Sequence, residues 1–139
     1  MNDCLFCRIA AKELSAAVIY EDEAAMAFLD IHPRSPGHAM IIPKKHCENI
    51  IDLPEAEVGP LFVAVKKVTE LLQKTLQPRG FTIGINHGRV SGQEIDHLHV
   101  HVIPRYDLDG GGSIHSVVNN PPRESMEETR SKILGQQDK

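Results

Sequence analysis

The sequence predicts an α+β fold, in which a mainly antiparallel sheet is built around one long helix. Two observations lead to this prediction. Short apolar segments of strand length recur along the chain with connections as short as those of hairpins, and one longer segment, 60–76, has helical apolar spacing. With 139 residues and no internal repeat, the chain is expected to form one domain, 1–139, with its own hydrophobic core.

The first half of the chain is predicted to contain a short helix and three strands. Apolar residues in CLFCRIAAK (4–12) have the spacing of an amphipathic helix. AVIYED (17–22) and AAMAFLDI (24–31) are predicted to be strands that meet at an acidic turn. The next segment, 32–38, contains two prolines and a glycine and is therefore a loop. HAMIIPKKH (38–46) is a nearly all-apolar strand that a proline ends.

The main helix is predicted over 60–76. Its apolar residues form one stripe at helical spacing: Leu61, Phe62, Val65, Val68, Leu72 and Leu76. A start near Asp52 would be compatible with the sequence. However, Gly59-Pro60 disfavours a regular first turn, so the regular part of the helix is placed after it.

The rest of the chain alternates between strands and glycine-rich loops. GFTIGINHG (80–88) is predicted to be a strand that enters the loop 88–96. The segment DLDGGGS, 107–113, is predicted to be flexible. RESMEETRSKIL, 123–134, has helical composition with a thin apolar stripe, which indicates a terminal helix or a segment that docks on a partner.

Residues 96–105, DHLHVHVIPR, contain a histidine at every second position. Alternate side chains of a β-strand point to the same face, so His97, His99 and His101 would share one face. The apolar residues between them would then face the core. A helix would scatter the three imidazoles around its circumference, which favours the strand. The alternative is a chance alternation of half-buried histidines.

Composition and charge restrict the partners of the protein. The formal net charge is −4, without a basic block, which disfavours broad binding of nucleic acid through its phosphates. No apolar run approaches the ~20 residues that span a bilayer. The N-terminal segment lacks the basic flank and unbroken apolar core of a signal peptide. We therefore expect a cytoplasmic protein with no nucleic-acid or membrane partner.

The chain has three cysteines, an odd number that disfavours a disulfide framework. Cys4 and Cys7 have the C-x-x-C spacing of a metal-binding or redox pair. No thioredoxin-like βαβ pattern surrounds these two cysteines, so half of a metal site is favoured over a redox pair.

Several ordered motifs resemble the histidine triad (HIT) family. HLHVHVI (97–103) is similar to its alternating histidine signature. FLDIHPRSPGHAMIIPKKH (28–46) resembles the family's strand–loop–strand segment, and GINHGRVSGQEIDHLHVHVIPR (84–105) resembles its N-x-G-x-x-x-G-Q segment that leads into the histidines. CLFCRI, followed by YEDE, resembles the bacterial branch that carries a C-x-x-C pair. The resemblance covers about 3–106, whereas the C-terminal tail, 107–139, is not diagnostic.

The resemblance implies a homodimer, in which each subunit has a five-stranded antiparallel sheet, one long helix and a short N-terminal helix. It also implies a hydrolase that cleaves purine nucleotide derivatives at the α-phosphorus and releases a nucleoside monophosphate such as AMP. A purine nucleoside phosphoramidase is the leading expectation. The alternatives are a dinucleoside polyphosphate hydrolase and a nucleotide-binding adaptor module with little catalysis.

By this resemblance His99 is the expected nucleophile, which forms a covalent nucleotidyl-histidine that water hydrolyses. Its other ring nitrogen then needs an acceptor, which in such enzymes is a backbone carbonyl. His101 and His38 are the expected donors to the phosphoryl oxygens, with Gln93 beside them. Because imidazoles could replace the metal of other phosphoryl-transfer sites, no catalytic metal is expected.

Residues that match family positions are expected to bind the nucleotide. The apolar ones would form a slot for the base and are equally consistent with plain core: Leu5, Phe6, Ile9, Phe28 and Ile31. Asp30 would bind both ribose hydroxyls or, alternatively, cap the loop 31–37. Asn86 would bind phosphate or cap its own turn. Gly92 lets the backbone of the loop that carries Gln93 approach an anion closely.

Glu94 departs from the family pattern, because the phosphoramidase branch has Ser at this position, placed to help protonate the leaving amine. Glu94 could act as an acid if its pKa were raised, or it could simply face solvent. The departure leaves the preferred leaving group open.

The resemblance also implies a structural zinc site. His46 and His97 match the two ligands that complete the C-x-x-C pair in this branch, so Cys4, Cys7, His46 and His97 would form a closed, tetrahedral Cys₂His₂ set. Such an ion would tie the N-terminal helix to the edge of the sheet. Cys47 and the other histidines have no matched role.

Overall fold

The computed structural model describes residues 3–136, so residues 1–2 and 137–139 of the predicted domain lie outside the described residues. One five-stranded antiparallel sheet has the strand order β1-β2-β3-β5-β4. The strands are β1 (Val18–Glu21), β2 (Ala25–Leu29), β3 (Ala39–Pro43), β4 (Gly80–Gly84) and β5 (Val100–Arg105). The α+β fold with a five-stranded antiparallel sheet is therefore confirmed.

Three helices accompany the sheet: α1 (Leu5–Ala10), α2 (Glu55–Leu76) and α3 (Met126–Gln136). Single 3₁₀ turns occur at Arg89–Ser91 and Ile114–Ser116. Between residues 3 and 136, no helix is long and apolar enough to cross a membrane.

The two faces of the sheet bury different clusters because strand side chains alternate. On one face, small residues of β2 and β3 and the apolar residues of β5 pack against α2. On the other face, Met26, Phe28, Met40 and Ile42 pack against Phe6 and Ile9 of α1. The cross-strand pairs Phe28–Met40 and Met40–His101 continue this second face onto β5. The face under α1 is therefore where the histidines lie.

The long helix begins at Glu55, before Gly59-Pro60, so the main prediction of a start at residue 60 was wrong and the alternative of an earlier start near Asp52 is correct to within three residues. Pro60 cannot donate to the carbonyl of Ala56, and its ring crowds that carbonyl; Ala56 is exposed, so water can satisfy the carbonyl in this first part of the helix. Glu55 and Glu57 lie in the first turn and interact favourably with the helix dipole.

The predicted stripe of α2 is correct at four positions and wrong at two. Leu61, Val65, Val68 and Leu72 are buried, whereas Phe62 is 38% and Leu76 is 45% exposed. Ala64 is fully buried instead, in the same cluster as the small alanines of β2 and β3.

The strand of alternating histidines is shorter than predicted. β5 begins at Val100, so His97 and His99 precede it. β4 ends at Gly84, opposite His101, and leaves the earlier residues without a ladder partner on that side. The alternation of faces nevertheless persists, since Leu98, Val100 and Val102 all belong to the core under α2.

Hydrogen bonds to Asp109 hold the segment 107–113, which was predicted to be flexible, against the end of β5. Arg105 donates to both carboxylate oxygens of Asp109 at 2.7 and 3.1 Å. Asp109 also accepts from the backbone N–H groups of Tyr106 and Gly111. The predicted terminal helix forms with slightly later bounds, as α3.

Gly37 and Gly59 offer a matched test of the backbone. Gly37 has φ +88°, and a Cβ there would lie 2.5 Å from Leu76 Cδ1 and 3.2 Å from Pro104 Cγ. Gly37→Ala should therefore lower the free energy of unfolding by about 1–2 kcal/mol. Gly59→Ala, in α2 with no atom within 4 Å of the added Cβ, should raise it by about 0.5–1 kcal/mol. Urea denaturation measures both, and equal effects of the two variants would contradict the assignment.

Candidate active site and metal centre

His99 lies just before β5, with its ring 7% exposed. Its Nδ1 is 2.8 Å from the carbonyl oxygen of His97. Because a carbonyl can only accept, Nδ1 carries the proton of the neutral ring and Nε2 keeps its lone pair. The ring of Phe6 packs edge-on against His99, with 5.2 Å between centroids. One imidazole nitrogen is therefore oriented as a potential nucleophile.

His38 and His101 form a hydrogen-bonded chain whose direction the backbone fixes. The N–H of Arg34 donates to His38 Nδ1 at 3.0 Å, so the proton of neutral His38 is on Nε2. His38 Nε2 lies 2.9 Å from His101 Nδ1 and donates to it. His101 therefore carries its own proton on Nε2, which has no other partner among residues 3–136. The Nε2–H of His38 is thus used by His101.

Burial keeps both of these imidazoles neutral. Desolvation, and then the neighbouring His99 and His38, lower the pKa of His101 to about 4 against the opposing effect of Asp30. Desolvation also lowers the pKa of His38, again against the effect of Asp30. At neutral pH, His101 can therefore donate a hydrogen bond but carries no charge.

Asp30 follows β2 and lies beside His38. Its Oδ1 accepts from the N–H of His32 at 2.9 Å, so it caps the loop as one of the two predictions proposed. Its Oδ2 is 3.5 Å from His38 Nε2. Asp30, His38 and His101 have metal-ligating types within 4.8 Å of one another. However, His38 Nε2 carries the proton that it donates to His101, so it has no lone pair to offer a metal ion, and Asp30 lies beside this histidine pair as a neighbouring carboxylate.

The structure separates the predicted apolar slot into buried and exposed residues. Phe6, Ile9 and Phe28 are buried in one cluster, and Phe6 packs on Phe28 with 5.3 Å between ring centroids. Leu5 is 43% and Ile31 is 85% exposed. The first three therefore belong to one buried cluster that reaches His99 through the ring of Phe6, whereas the last two are exposed.

The loop before the histidines is held by the side chain of Gln93. Its amide donates to the carbonyls of Glu48 and Ile95 at 2.7 and 3.1 Å, and its Oε1 accepts from the N–H of Gly88. Both amide N–H groups are therefore used within the protein. Gly92 has φ +106°, and a Cβ there would lie 3.7 Å from the amide nitrogen of Asn86. Gly92 and Asn86 are thus neighbours in this loop.

The structure brings four predicted metal ligands together: Cys4, Cys7, His46 and His97. Cys4 caps α1 by accepting from the N–H of Cys7, and one helical turn places both thiols on the same side. Cys4 Sγ and Cys7 Sγ lie 3.3 and 3.5 Å from His97 Nδ1, and Cys7 Sγ lies 3.3 Å from His46 Nδ1. These residues could hold a metal ion.

The geometry fits a tetrahedral ion. With metal–sulfur and metal–nitrogen distances of about 2.3 and 2.0 Å, a sulfur–nitrogen edge is about 3.5 Å. His97 donates from Nε2 to the carbonyl of Pro43 at 2.8 Å, which leaves the Nδ1 lone pair facing the thiols. Burial, and then Cys4, raise the pKa of the Cys7 thiol to about 11, so a cation is what would favour its thiolate.

Some functional groups could not be found from the sequence. For His99 the resemblance implied a backbone carbonyl as acceptor, and the structure has one, that of His97. The backbone groups that orient His38 and His97 have no sequence signal, because every residue has a carbonyl and all but proline an N–H. Arg89 bonds the carbonyls of Gln93 and Glu94. In the sequence, the only indication of this contact is that a cationic residue lies within the family's loop motif.

Comparison with known proteins agrees with this geometry. A model of the HIT domain matches residues 11–108. An uncharacterised HIT-like protein of Methanocaldococcus jannaschii is 49% identical over 107 residues, which cover 77% of this chain and 82% of that protein. An adenosine 5′-monophosphoramidase of Schizosaccharomyces pombe is 34% identical over 134 residues, which cover 94% of this chain and 98% of that enzyme.

Solved structures share the whole fold. The crystal structure of a HIT family member from Bacillus subtilis has a TM-score of 0.86 and 32% identity, and the match covers 99% of this chain and 96% of that one. The family model alone spans more than half of the chain. The protein therefore belongs to the HIT domain family.

Proposed function

We propose that this protein hydrolyses purine nucleotide derivatives at the α-phosphorus, as a nucleoside phosphoramidase, through a covalent nucleotidyl-His99. The observation that carries the proposal is the hydrogen bond of His99 Nδ1 to the carbonyl of His97. It fixes the tautomer and directs the Nε2 lone pair away from the backbone. The similarity to a named adenosine 5′-monophosphoramidase over nearly the full chain supports the substrate class.

The reaction has two balanced steps. In the first, His99 Nε2 forms a bond to the α-phosphorus while the bond from phosphorus to the leaving amine breaks, and the amine takes up a proton. In the second, water adds its oxygen to phosphorus, the P–Nε2 bond breaks, and the nucleoside monophosphate leaves. The amine takes its proton from solvent in the first step, and the attacking water returns one proton to solvent in the second, so the protons balance over the whole reaction.

Neutral His101 supplies the N–H donor for the phosphoryl oxygens. Its Nε2–H stays a donor because His38 Nε2–H occupies its Nδ1. A donor that is already oriented does not have to reorganise when negative charge develops on the oxygens. His38 is thus proposed as a positioning residue, while Gln93 contributes by holding the loop.

The base is proposed to bind on the buried floor of Phe6, Ile9 and Phe28, with Leu5 and Ile31 at the exposed margin. Asp30 Oδ2 remains available for a ribose hydroxyl, since only Oδ1 caps the loop. Asn86 and Gly92, which are neighbours, are proposed to lie beside the phosphate. Glu94 is exposed, which favours contact with solvent or with the leaving group over acid catalysis from a buried site.

The metal centre is proposed to hold structural Zn²⁺ on Cys4, Cys7, His46 and His97. All four protein ligands fill a tetrahedral shell, so no position stays open for substrate, and the ion would stabilise the fold rather than react. We further propose a cytoplasmic homodimer. β4 is an edge strand with Ile83 41% exposed, and an unpaired edge can accept a second copy.

His99→Ala should abolish release of AMP from adenosine 5′-phosphoramidate, because the variant lacks the Nε2 that forms the bond to phosphorus. We expect kcat to fall more than about 10³-fold, while AMP binding measured by calorimetry changes only a few-fold. His115→Ala, an exposed histidine in the C-terminal segment, is the matched control and should keep wild-type turnover.

Near-full turnover by the His99 variant would exclude it as the nucleophile. Hydrolysis of diadenosine polyphosphates by the wild type, without release of AMP from the phosphoramidate, would instead indicate the alternative hydrolase. Tight binding of AMP with no turnover of either substrate would indicate the adaptor.

Elemental analysis of protein purified without chelators should find about one zinc per chain. Cys7→Ala and His46→Ala should each lose the zinc and lower the melting temperature, because structural zinc contributes folding free energy. Cys47→Ala removes a nearby thiol that is outside the four-ligand set and should keep the ion. Wild-type protein without any transition metal would refute the zinc site.

The stability of the protein should fall as the pH drops from about 6.5 to about 4. In the unfolded chain the His101 imidazole takes up a proton below about pH 6.5, whereas its folded pKa is about 4, so acid favours the unfolded state. His101→Gln should make the free energy of unfolding less dependent on pH across this window. Urea denaturation at several pH values tests this, with His115→Gln as control, and parallel curves for His101→Gln and the wild type would contradict it.

A further inference from the structure

Arg89 stands outside the histidine cluster and bonds to the loop that precedes it. Its Nη1 donates to the carbonyls of Gln93 and Glu94 at 3.0 and 2.9 Å. Its Nη2 donates to Asp96 Oδ2 at 2.9 Å. One guanidinium therefore bonds the carbonyls of Gln93 and Glu94 with one nitrogen and the carboxylate of Asp96 with another. The compact ammonium group of a lysine lacks this rigid fork of donors.

The orientation of these carbonyls fixes the orientation of two N–H groups. None of the described peptide bonds is cis, and in a trans peptide the C=O of one residue and the N–H of the next point in opposite directions. Arg89 draws the carbonyls of Gln93 and Glu94 to its own side. The N–H groups of Glu94 and Ile95 must therefore point together to the opposite side of the loop.

These two N–H groups are available as donors. Neither donates to another group among residues 3–136. Ile95 packs against the apolar cluster that contains Phe6, and the Phe6 ring lies on His99. From within, the Gln93 amide bonds the carbonyl of Ile95. The exposed Arg89 thus holds the loop from the solvent side and the buried Gln93 side chain holds it from the protein interior. The N–H groups of Glu94 and Ile95 belong to the segment that these two side chains fix.

We infer that Arg89 is a positioning residue, which aligns the N–H groups of Glu94 and Ile95 as a pair of donors for a phosphoryl oxygen. This role presupposes the phosphoryl chemistry proposed above and adds a residue to it. Arg89 itself does not touch the substrate. The side chains of Arg89 and Asp96 are 67% and 55% exposed, so their ion pair contributes little to stability. The effect of Arg89 is instead to orient the peptide groups that follow Gln93 and Glu94.

Arg89→Ala should lower kcat for AMP release from adenosine 5′-phosphoramidate about 10–100-fold, because misaligned donors lose part of the stabilisation that each donor gives to developing charge. KM and the Kd of AMP should change less than about three-fold, since such donors act mainly on the transition state. The melting temperature should stay within a few degrees of the wild type. Arg89→Lys should not restore kcat.

The matched control is Arg79→Ala, which removes another exposed ion pair, with Asp107 at 3.8 Å, and should keep wild-type kcat. A second measurement does not need turnover. Addition of AMP to ¹⁵N-labelled wild-type protein should shift the amide signals of Glu94 and Ile95, and in Arg89→Ala these shifts should be largely lost.

The outcomes separate this inference from the proposed function. Wild-type kcat in Arg89→Ala, or amide shifts equal to those of the wild type, would overturn the role of Arg89 and leave the nucleophile in place. A wild type without turnover, whose amides still shift only when Arg89 is present, would refute the proposed reaction and retain the positioned donors. A wild type with neither turnover nor shifts would overturn both.

Discussion

The backbone and ring of His97 connect the two sites of this protein. The ring donates to the carbonyl of Pro43 and directs Nδ1 towards Cys4 and Cys7. The carbonyl of the same residue accepts from His99 Nδ1 and so fixes the tautomer of that imidazole. His97 is also completely buried. Any movement that disturbs the metal-ligating cluster would therefore change the acceptor on which the orientation of His99 depends.

The buried histidines provide oriented hydrogen-bond donors and acceptors without carrying charge. Burial lowers the pKa of His38, His97 and His101, so the imidazoles are neutral donors and acceptors whose proton positions follow from backbone groups. Such a cluster avoids the cost of several buried cations close together. It also leaves the Nε2–H of His101 as an oriented donor, and oriented donors in a low-dielectric interior can stabilise developing negative charge.

The α1 helix depends on its surroundings more than on its own sequence. Six residues are too few for a stable isolated helix. Packing of Phe6 and Ile9 on the sheet, together with the contacts of both cysteines, holds it in place. The same short segment therefore contributes two thiols to the candidate metal centre and the aromatic ring beside His99. This shared support explains why a structural ion could matter for a site that it does not touch.

The sequence by itself determined the fold class, the approximate elements and the grouping of Cys4, Cys7, His46 and His97, because alternation, helical spacing and ordered motifs are local properties. It left the start of α2 open between residue 60 and the region of Asp52, since the local cost of Pro60 does not show whether the rest of the helix outweighs it. It misplaced the start of β5, since ladder partners are distant in sequence. Only the tertiary structure decided which ring nitrogens of the histidines carry protons, that His101 is neutral, and that Arg89 bonds the carbonyls of Gln93 and Glu94. These features depend on burial and on the positions of backbone carbonyls and N–H groups. Nearly every residue has both groups, so the sequence does not show which of them will lie beside a given side chain.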